Sequence, residues 1–271
     1  MLTLKKYGSH QWEFAYPPIF EQVMDEFHMG CEFLEQGDLD KAEKTFKSVL
    51  AKMPDHLDAL HHLALVLSER DLHDQAGALW VQAVNIGRKA FPPDFVPGKD
   101  RLEWLFMDNR PFLRCLHGLA LERFDQYLTE MAAGLFRELL LLNPNDNQGA
   151  RAMLQECLFE LSRFEDALEI ADEYPGDIMP DTLYGKALAL FKLGRKRQAN
   201  AALRKAVKIL PLVRVELLKK RHRMPKSAQE GLLTVGGADE AYYYWEQWGR
   251  FWKADAEALK WLEKIPPTAT G

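Results

Sequence analysis

Cysteine is scarce in this chain, three residues in 271. Cys31, Cys115 and Cys157 are odd in number, and each falls inside a helical pattern. They read as buried thiols rather than a disulfide framework, so a cytoplasmic address is the expectation. Long apolar runs are also missing: nothing approaches the roughly 18 to 20 residues that a spanning helix needs. The opening MLTLKKYGSHQWEF lacks the apolar core of a signal peptide. Catalytic motifs are missing too. There is no phosphate loop, no glycine-rich dinucleotide turn after a strand and no Gly-x-Ser-x-Gly elbow. Neither Cys-x-x-Cys nor His-Glu-x-x-His accompanies the histidines. The expectation is therefore no enzyme: no catalytic residue, no cofactor and no metal.

What is present is an ordinary composition with an uneven charge. Apolar residues make up 47% and charged residues 28%, which favours neither disorder nor a membrane protein. The length allows one large domain or two small ones. Residues 192–226 carry 13 Lys/Arg against the single acid Glu216, a local +12 within a chain of net −5. The preceding 191 residues carry −14 and the last 45 carry −3, so the chain is electrically bipolar.

A periodicity runs through the chain. Ala42 is followed four and seven places later by Phe46 and Val49, Ala76 by Trp80 and Ala83, and Ala132 by Phe136 and Leu139. Ala167 is followed by Ala171 and Tyr174, and Ala199 by Leu203 and Ala206. The steps between these alanines are 34, 56, 35 and 32 residues, the 56 being one repeat plus an insertion of 22. Pro54, Pro144 and Pro211 sit twelve residues after three of the alanines. This spacing resembles the tetratricopeptide repeat, a helix–turn–helix unit of about 34 residues. Small residues let paired helices approach, large ones fill the gap between neighbours, and proline ends the second helix by denying it a donor.

The fold expected is all-α: a right-handed solenoid of five helix pairs, roughly 23–56, 57–90, 113–146, 148–177 and 180–211, each pair leaning on the next. Residues 1–22 would form an extended arm over the first pair, with Trp12, Phe14 and Tyr16 alternating before Pro17 and Pro18. The insertion 88–110 would roof or fill the groove. Residues 212–271 would be a basic connector and a capping helix over 241–262. Its buried stripe would be Ala241, Tyr244 or Trp245, Trp248, Phe251 or Trp252, Leu259 and Leu262.

From about residue 104 the segments WLFMDNRPFLRCLHGLAL and LLLLNPNDNQGARAMLQECLFEL, with the sparser tail ending EALKWL, resemble the helical-repeat proteins of the suppressor-of-tumorigenicity type and their bacterial relatives. That resemblance implies a repeat protein without an established catalytic residue and a family-specific end piece over 212–271. Membrane segments of eukaryotic members have no counterpart in this sequence.

The tetratricopeptide resemblance further implies that the first helix of each pair lines a concave face. Its fifth slot holds Phe27, His61, His117, Ala152 and Gly185, and its second slot Met24, Asp58, Arg114, Gly149 and Asp181. Five helices at about 9–10 Å give a groove of roughly 50 Å, room for about 14 extended residues. Phe27 and Cys31 stand where a clamp for chaperone tails would need lysine and asparagine.

Candidate ligand-binding residues are Asp58, His61, Asn109, Arg110, Arg114, His117, Gln148 and Arg151. Two arginines can grip a carboxylate or phosphate bidentately; alternatively, Arg110 and Arg114 pair with Asp108 or other acids and anchor the insertion. His28, His61, His62 and His117 share one level of successive helices, as solvated or hydrogen-bonded side chains rather than a closed metal site. The polar knot Asn143 to Arg151 is a joint capping the next helix through Asn145, Asp146 or Asn147, or a joint whose surplus Gln148 and Arg151 also face a ligand. The expected function is non-catalytic binding of a protein or peptide segment. The alternative is a nucleic-acid or anionic-surface binder through 195–226, and the opposite charges also allow head-to-tail homo-oligomers.

Overall fold

A computed structural model of the protein describes residues 2–229 and 231–266. The chain divides into two compact units, Met1–Arg151 and Ala152–Gly271. Across both, the regular elements of the described residues are helices and one small two-stranded sheet.

The first unit holds β1 (Thr3–Lys6) and β2 (Trp12–Ala15), then the pairs α1 (Ile19–Glu35) with α2 (Leu39–Lys52), α3 (Leu57–Ser68) with α4 (His73–Lys89), and α5 (Arg110–Asp125) with α6 (Thr129–Leu142). α7 (Ala150–Glu160) starts at the boundary. The second unit continues with α8 (Phe164–Glu173), α9 (Pro180–Lys192), α10 (Lys196–Ile209), α11 (Pro211–Leu217), α12 (Ala238–Lys253) and α13 (Ala256–Lys264). The five predicted pairs are therefore present. Their register alanines are sealed: Ala42, Ala76 and Ala132 have no exposure, and Ala167 and Ala199 almost none. Phe46, Trp80 and Phe136 lie buried one turn further on, where a branched or long residue at the alanine would hold the helices apart.

Each pair turns through the same backbone device. A residue two or three places past the first helix takes a left-handed conformation: Gly37 at φ +74°, Asp71 at 59°, Tyr127 at 59°, Ser162 at 57° and Gly194 at +70°. In every case its N–H bonds back three residues, and the next N–H bonds back five, as in Gly37 to Leu34 and Asp38 to Phe33. Those two bonds satisfy carbonyls that the ending helix leaves without partners. Only two of the five turns carry the glycine that this geometry prefers, so three of them were invisible to a search for glycine.

The N-terminal arm departs from expectation. It is an antiparallel hairpin with Leu4 opposite Phe14, and it packs on the insertion rather than over the first pair. Alternation puts Trp12 and Phe14 on one buried face. Trp12 meets Phe95 edge-on at 5.7 Å, while Phe14 lies 5.3 Å from Phe112 on α5 and 6.2 Å from Phe91. Backbone bonds from Arg101 to His10 and from Trp12 to Arg101, 2.8 and 3.0 Å, add the insertion to the hairpin edge. Tyr16 reaches the first pair, stacking on Phe20 at 4.3 Å.

The C-terminal segment also differs. The predicted helix over 241–262 is two helices, broken where Asp255 accepts from the N–H of Glu257 and caps α13. Its stripe resolves to Ala241, Tyr244, Trp248, Trp252 and Leu262, all buried. α12 does more than cover an end: it lies across α7 and α9. Trp248 meets Phe159 at 4.9 Å, Tyr244 lies 5.8 Å from Tyr184, and Arg250 bonds Glu156 at 2.8 Å.

Candidate functional site

The inward slots predicted from the repeat meet different fates. In the first unit Phe27 is core, ringed by Phe46, His56 and His62 at 5.0 to 5.9 Å. In the second unit the slot of α9, Gly185, sits under α12: a Cβ there would meet Trp248 at 3.3 Å and Gln155 at 3.1 Å. Between them, α3 and α5 keep a cavity of about 340 Å³. Its lining includes His61, Leu65 and Ser68 of α3, Trp80 of α4, Arg114, His117, Gly118, Glu122 and Asp125 of α5, and Gln148 of the following loop.

The cavity is built from the bottom by Gly118 and Trp80. A Cβ at Gly118 would stand 2.6 Å from the Trp80 indole nitrogen, so only glycine lets the indole lie against α5. From there Trp80 Nε1 donates to His61 Nδ1 at 3.1 Å. An imidazole nitrogen that accepts carries no proton, so His61 is neutral with its hydrogen on Nε2. Burial, with His62, Arg114 and His117 nearby, pushes the His61 pKa well below the ordinary value. Burial also lowers that of His117. Its Nε2 is buried with no hydrogen-bond partner among the described residues.

Arg114 donates through Nη2 to Asp58 Oδ2 at 2.8 Å. Asp58 comes from the first turn of α3 and is 8% exposed. Its Oδ1, 3.9 Å from His62 Nδ1, and Arg114 Nε are buried without a hydrogen-bond partner among the described residues. Gln148 donates through Nε2 to the carbonyl of Leu113 at 3.3 Å, which turns its Oε1, also buried and without a partner, the other way. Five of the eight sequence candidates thus gather here: Asp58 behind Arg114, with Arg114, His61, His117 and Gln148 at the wall.

The other three do different work. Asn109 is fully buried; it accepts from the N–H of Phe14 at 3.1 Å and donates to the carbonyls of Trp12 and Glu103 at 2.9 and 3.2 Å, clamping hairpin and insertion together. Arg110 stacks on Trp104, 5.2 Å from ring centre, and donates to the Trp104 carbonyl at 2.9 Å. Arg110 thus holds the insertion through Trp104 rather than through an acid, Arg114 is the arginine that pairs with one, and Arg110 is not in the cavity lining. Arg151 lies beside Asp146, 3.9 Å away, at the start of α7.

The polar knot is a joint with one surplus group. Asp146, at φ +50°, caps α7 by accepting from the N–H groups of Ala150 and Arg151 at 2.7 and 3.2 Å. Asn143 donates to Asn147 at 3.3 Å, and Gln148 alone of the knot reaches the cavity. The insertion neither roofs nor fills it, since no residue of 88–110 is in the lining. Among the described residues no three His, Cys, Asp or Glu side chains converge as metal ligands.

A cavity that the sequence did not suggest is the larger one, about 660 Å³, between α8, α9 and α10. Its acidic wall on α8 and its basic residues on α9 and α10 neutralise one another through Lys186 with Asp172 and Arg195 with Glu165. Outward-facing charges on neighbouring helices carry no sequence signal that distinguishes a cleft from a solvated face.

The paired helices, the shared turn and the sealed alanines define a helical-repeat protein of the tetratricopeptide type. The chain belongs to the Tcf25 family, described as transcriptional repressor TCF25, whose model matches residues 28–266. The segments around 104–262 lie inside that span, and the Tcf25 family is the one these residues show. No curated protein matches the chain. Among solved structures it is similar to YrrB, a TPR protein with an unusual peptide-binding site, at 14% identity and a TM-score of 0.52 over 73% of this chain and 94% of that one. MamA is similar at 18% identity and 0.51, over 69% and 91%. The Naa15/Naa10 complex bound to HypK-THB matches at 16% and 0.51 over 69% of this chain and 25% of that one. These likenesses show the fold. No helix among the described residues is long and apolar enough to cross a membrane.

Proposed function

We propose that the protein is a non-catalytic interaction scaffold that holds a segment of another protein against the face between α3 and α5. One observation carries this reading. The cavity there gathers His61 of α3, Arg114 and His117 of α5 and Gln148 of the following loop in one lining. A concave site that brings a few directional polar groups together with apolar ones is the usual form of a binding pocket. The peptide-binding site named for YrrB and the repressor description of the family support a role in assembly rather than chemistry. Three thiols without disulfides support an intracellular setting.

The test is a displayed peptide library panned on the full chain. Recovered peptides should lose at least tenfold in affinity for a variant carrying His117→Ala with Gln148→Leu, while circular dichroism stays unchanged. Peptides that bind the variant equally well would overturn the site.

A second reading has its own observation. His222 is fixed between Glu216, 3.0 Å away, and Trp245, on which it stacks at 3.7 Å. The surrounding Lys220, Arg221 and Arg223 are exposed and enter no ion pair among the described residues. A pinned basic loop of this kind would hold a nucleic acid or another anionic surface, with affinity falling steeply as salt rises. No binding of an unspecific RNA or DNA probe at low salt would dismiss it.

A further inference from the structure

The larger cavity, between α8, α9 and α10, has an equivalent in the first unit, and the two differ at one end. A groove of about 370 Å³ lies between α4 and α6 over Leu119 of α5. Its own charges strap it: Arg88, twelve residues after Ala76, donates twice to Glu138, six residues after Ala132. The same register puts Lys205 six residues after Ala199. Twelve residues after Ala167, however, stands Met179, outside any helix, because α8 stops at Glu173 after 10 residues where α4 runs for 17. No such strap forms, and the groove holds about 660 Å³.

Leu168 of α8 with Leu183 and Leu190 of α9 give this groove an apolar bed. Part of the charge on its walls is spent within the protein. Lys186 pairs with Asp172, Arg195 with Glu165 at 3.7 Å, and Asp177 accepts from Thr182 and from the N–H of Met179. Left over are one carboxylate on the α8 wall, Glu169, and one ammonium on the α10 wall, Lys205. Both are exposed, both line the groove, and neither enters an ion pair among the described residues.

Backbone chemistry decides what shape of segment fits. The flanks of helices offer no free N–H or C=O, so an extended segment laid here would find one carboxylate and one ammonium to serve all its backbone groups. A helix satisfies its backbone internally and needs only matching side chains. We infer that this groove docks a short amphipathic helix of another protein, apolar on its inward face. One edge carries Lys or Arg toward Glu169, and the other carries Asp or Glu toward Lys205. That acid does for Lys205 what Arg88 does for Glu138 in the first unit. The 10 residues of α8 allow about 15 Å of contact, roughly three turns. The inference rests on different elements from the α3–α5 cavity and stands or falls separately.

The test uses three labelled, lactam-bridged helical peptides of about three turns that share one leucine face. The first has a lysine edge and a glutamate edge, the second glutamate on both, the third lysine on both. Binding to the full chain is followed by fluorescence anisotropy at low salt. The mixed peptide should bind roughly fivefold tighter than either single-sign peptide, since exchanging an exposed attraction for a repulsion is a modest effect. Glu169→Lys should move the preference to the glutamate peptide, and Lys205→Glu to the lysine peptide. Both positions are exposed, so neither change threatens the fold. Ala201→Trp, which fills the groove from an exposed position in its lining, should weaken all three. A single-sign peptide that binds the native chain as tightly as the mixed one overturns the inference. So does a preference that both charge variants leave unmoved, or no binding of any peptide. A mixed peptide broken by proline that binds as well as the bridged one overturns the helical occupant.

Discussion

Helix pairs built on one repeat pattern end with opposite surfaces in the two units. In the first unit the inner side of α3 and α5 carries His61 and His117, and hydrogen-bonding groups stay at the wall of a cavity. In the second unit the corresponding slot of α9 is Gly185, and the protein's own α12 lays Trp248 on it. A glycine slot gives a flat place on which an indole nests, with van der Waals contact over its whole face. An imidazole slot carries polar atoms that need directional partners, as His61 Nδ1 finds in the Trp80 N–H. The repeat register thus decides where helices pair, while the size and polarity of a single slot decides whether that face is closed or open.

The sharpest way to break the contrast is Trp248→Ala. This indole is fully buried against Phe159 and Tyr244, so its loss should cost about 3–5 kcal/mol. Hydrogen exchange should accelerate in α7, α9 and α12 and stay unchanged in α1 to α4; uniform acceleration would refute independent closure of the second unit's face.

Acid should separate the units next. His56 caps α3 by accepting from the N–H of Ala59, 3.1 Å away, and burial lowers its pKa to about 4. The unfolded chain takes up that proton below about 6.5 while the folded one refuses it. The contribution, roughly 3 kcal/mol, is present above pH 6.5 and lost as pH falls toward 4. Glu156 of α7 has the opposite sign: burial raises its pKa, so its folded form gains as pH falls through that value. Exchange at pH 5 should therefore lose protection in α1 to α5 before α7 and α12, and the reverse order would refute the assignment.

Gly118→Ala is a milder break. Its methyl group collides with the Trp80 nitrogen at 2.6 Å, so the indole moves and the bond to His61 is lost, at a cost of about 1–3 kcal/mol. Indole fluorescence should shift with the melting temperature; an unchanged spectrum would mean the cavity floor is not built this way. The smallest effect sharpens the likeness between units instead. Tyr127 is 90% exposed at φ +59° in a turn where Gly37 and Gly194 sit. Tyr127→Gly should stabilise by up to about 1 kcal/mol in denaturant unfolding.

Much of this was legible beforehand because it is periodic. Ala42, Ala76, Ala132, Ala167 and Ala199 mark closest approach of paired helices, and any residue there larger than alanine would be felt at once. Candidate site residues on regular helices were equally legible: Asp58, His61, Arg114 and His117 fall on facing turns of α3 and α5 by their spacing alone. Asn109 and Arg110 were misjudged because their partners, Phe14, Trp12, Glu103 and Trp104, lie in a hairpin and an irregular insertion whose contacts follow no period.

The amino-acid order by itself determined the five helix pairs, their turns at Gly37 and Gly194, and the level at which His61 and His117 stand, since these depend on local spacing and backbone preference. Only the tertiary structure decided that α12 closes one face, that the hairpin holds the insertion aside and that Asp58 takes up the charge of Arg114. Each of those rests on side chains far apart in sequence meeting in three dimensions, where burial and hydrogen-bond geometry, not periodicity, choose the partner.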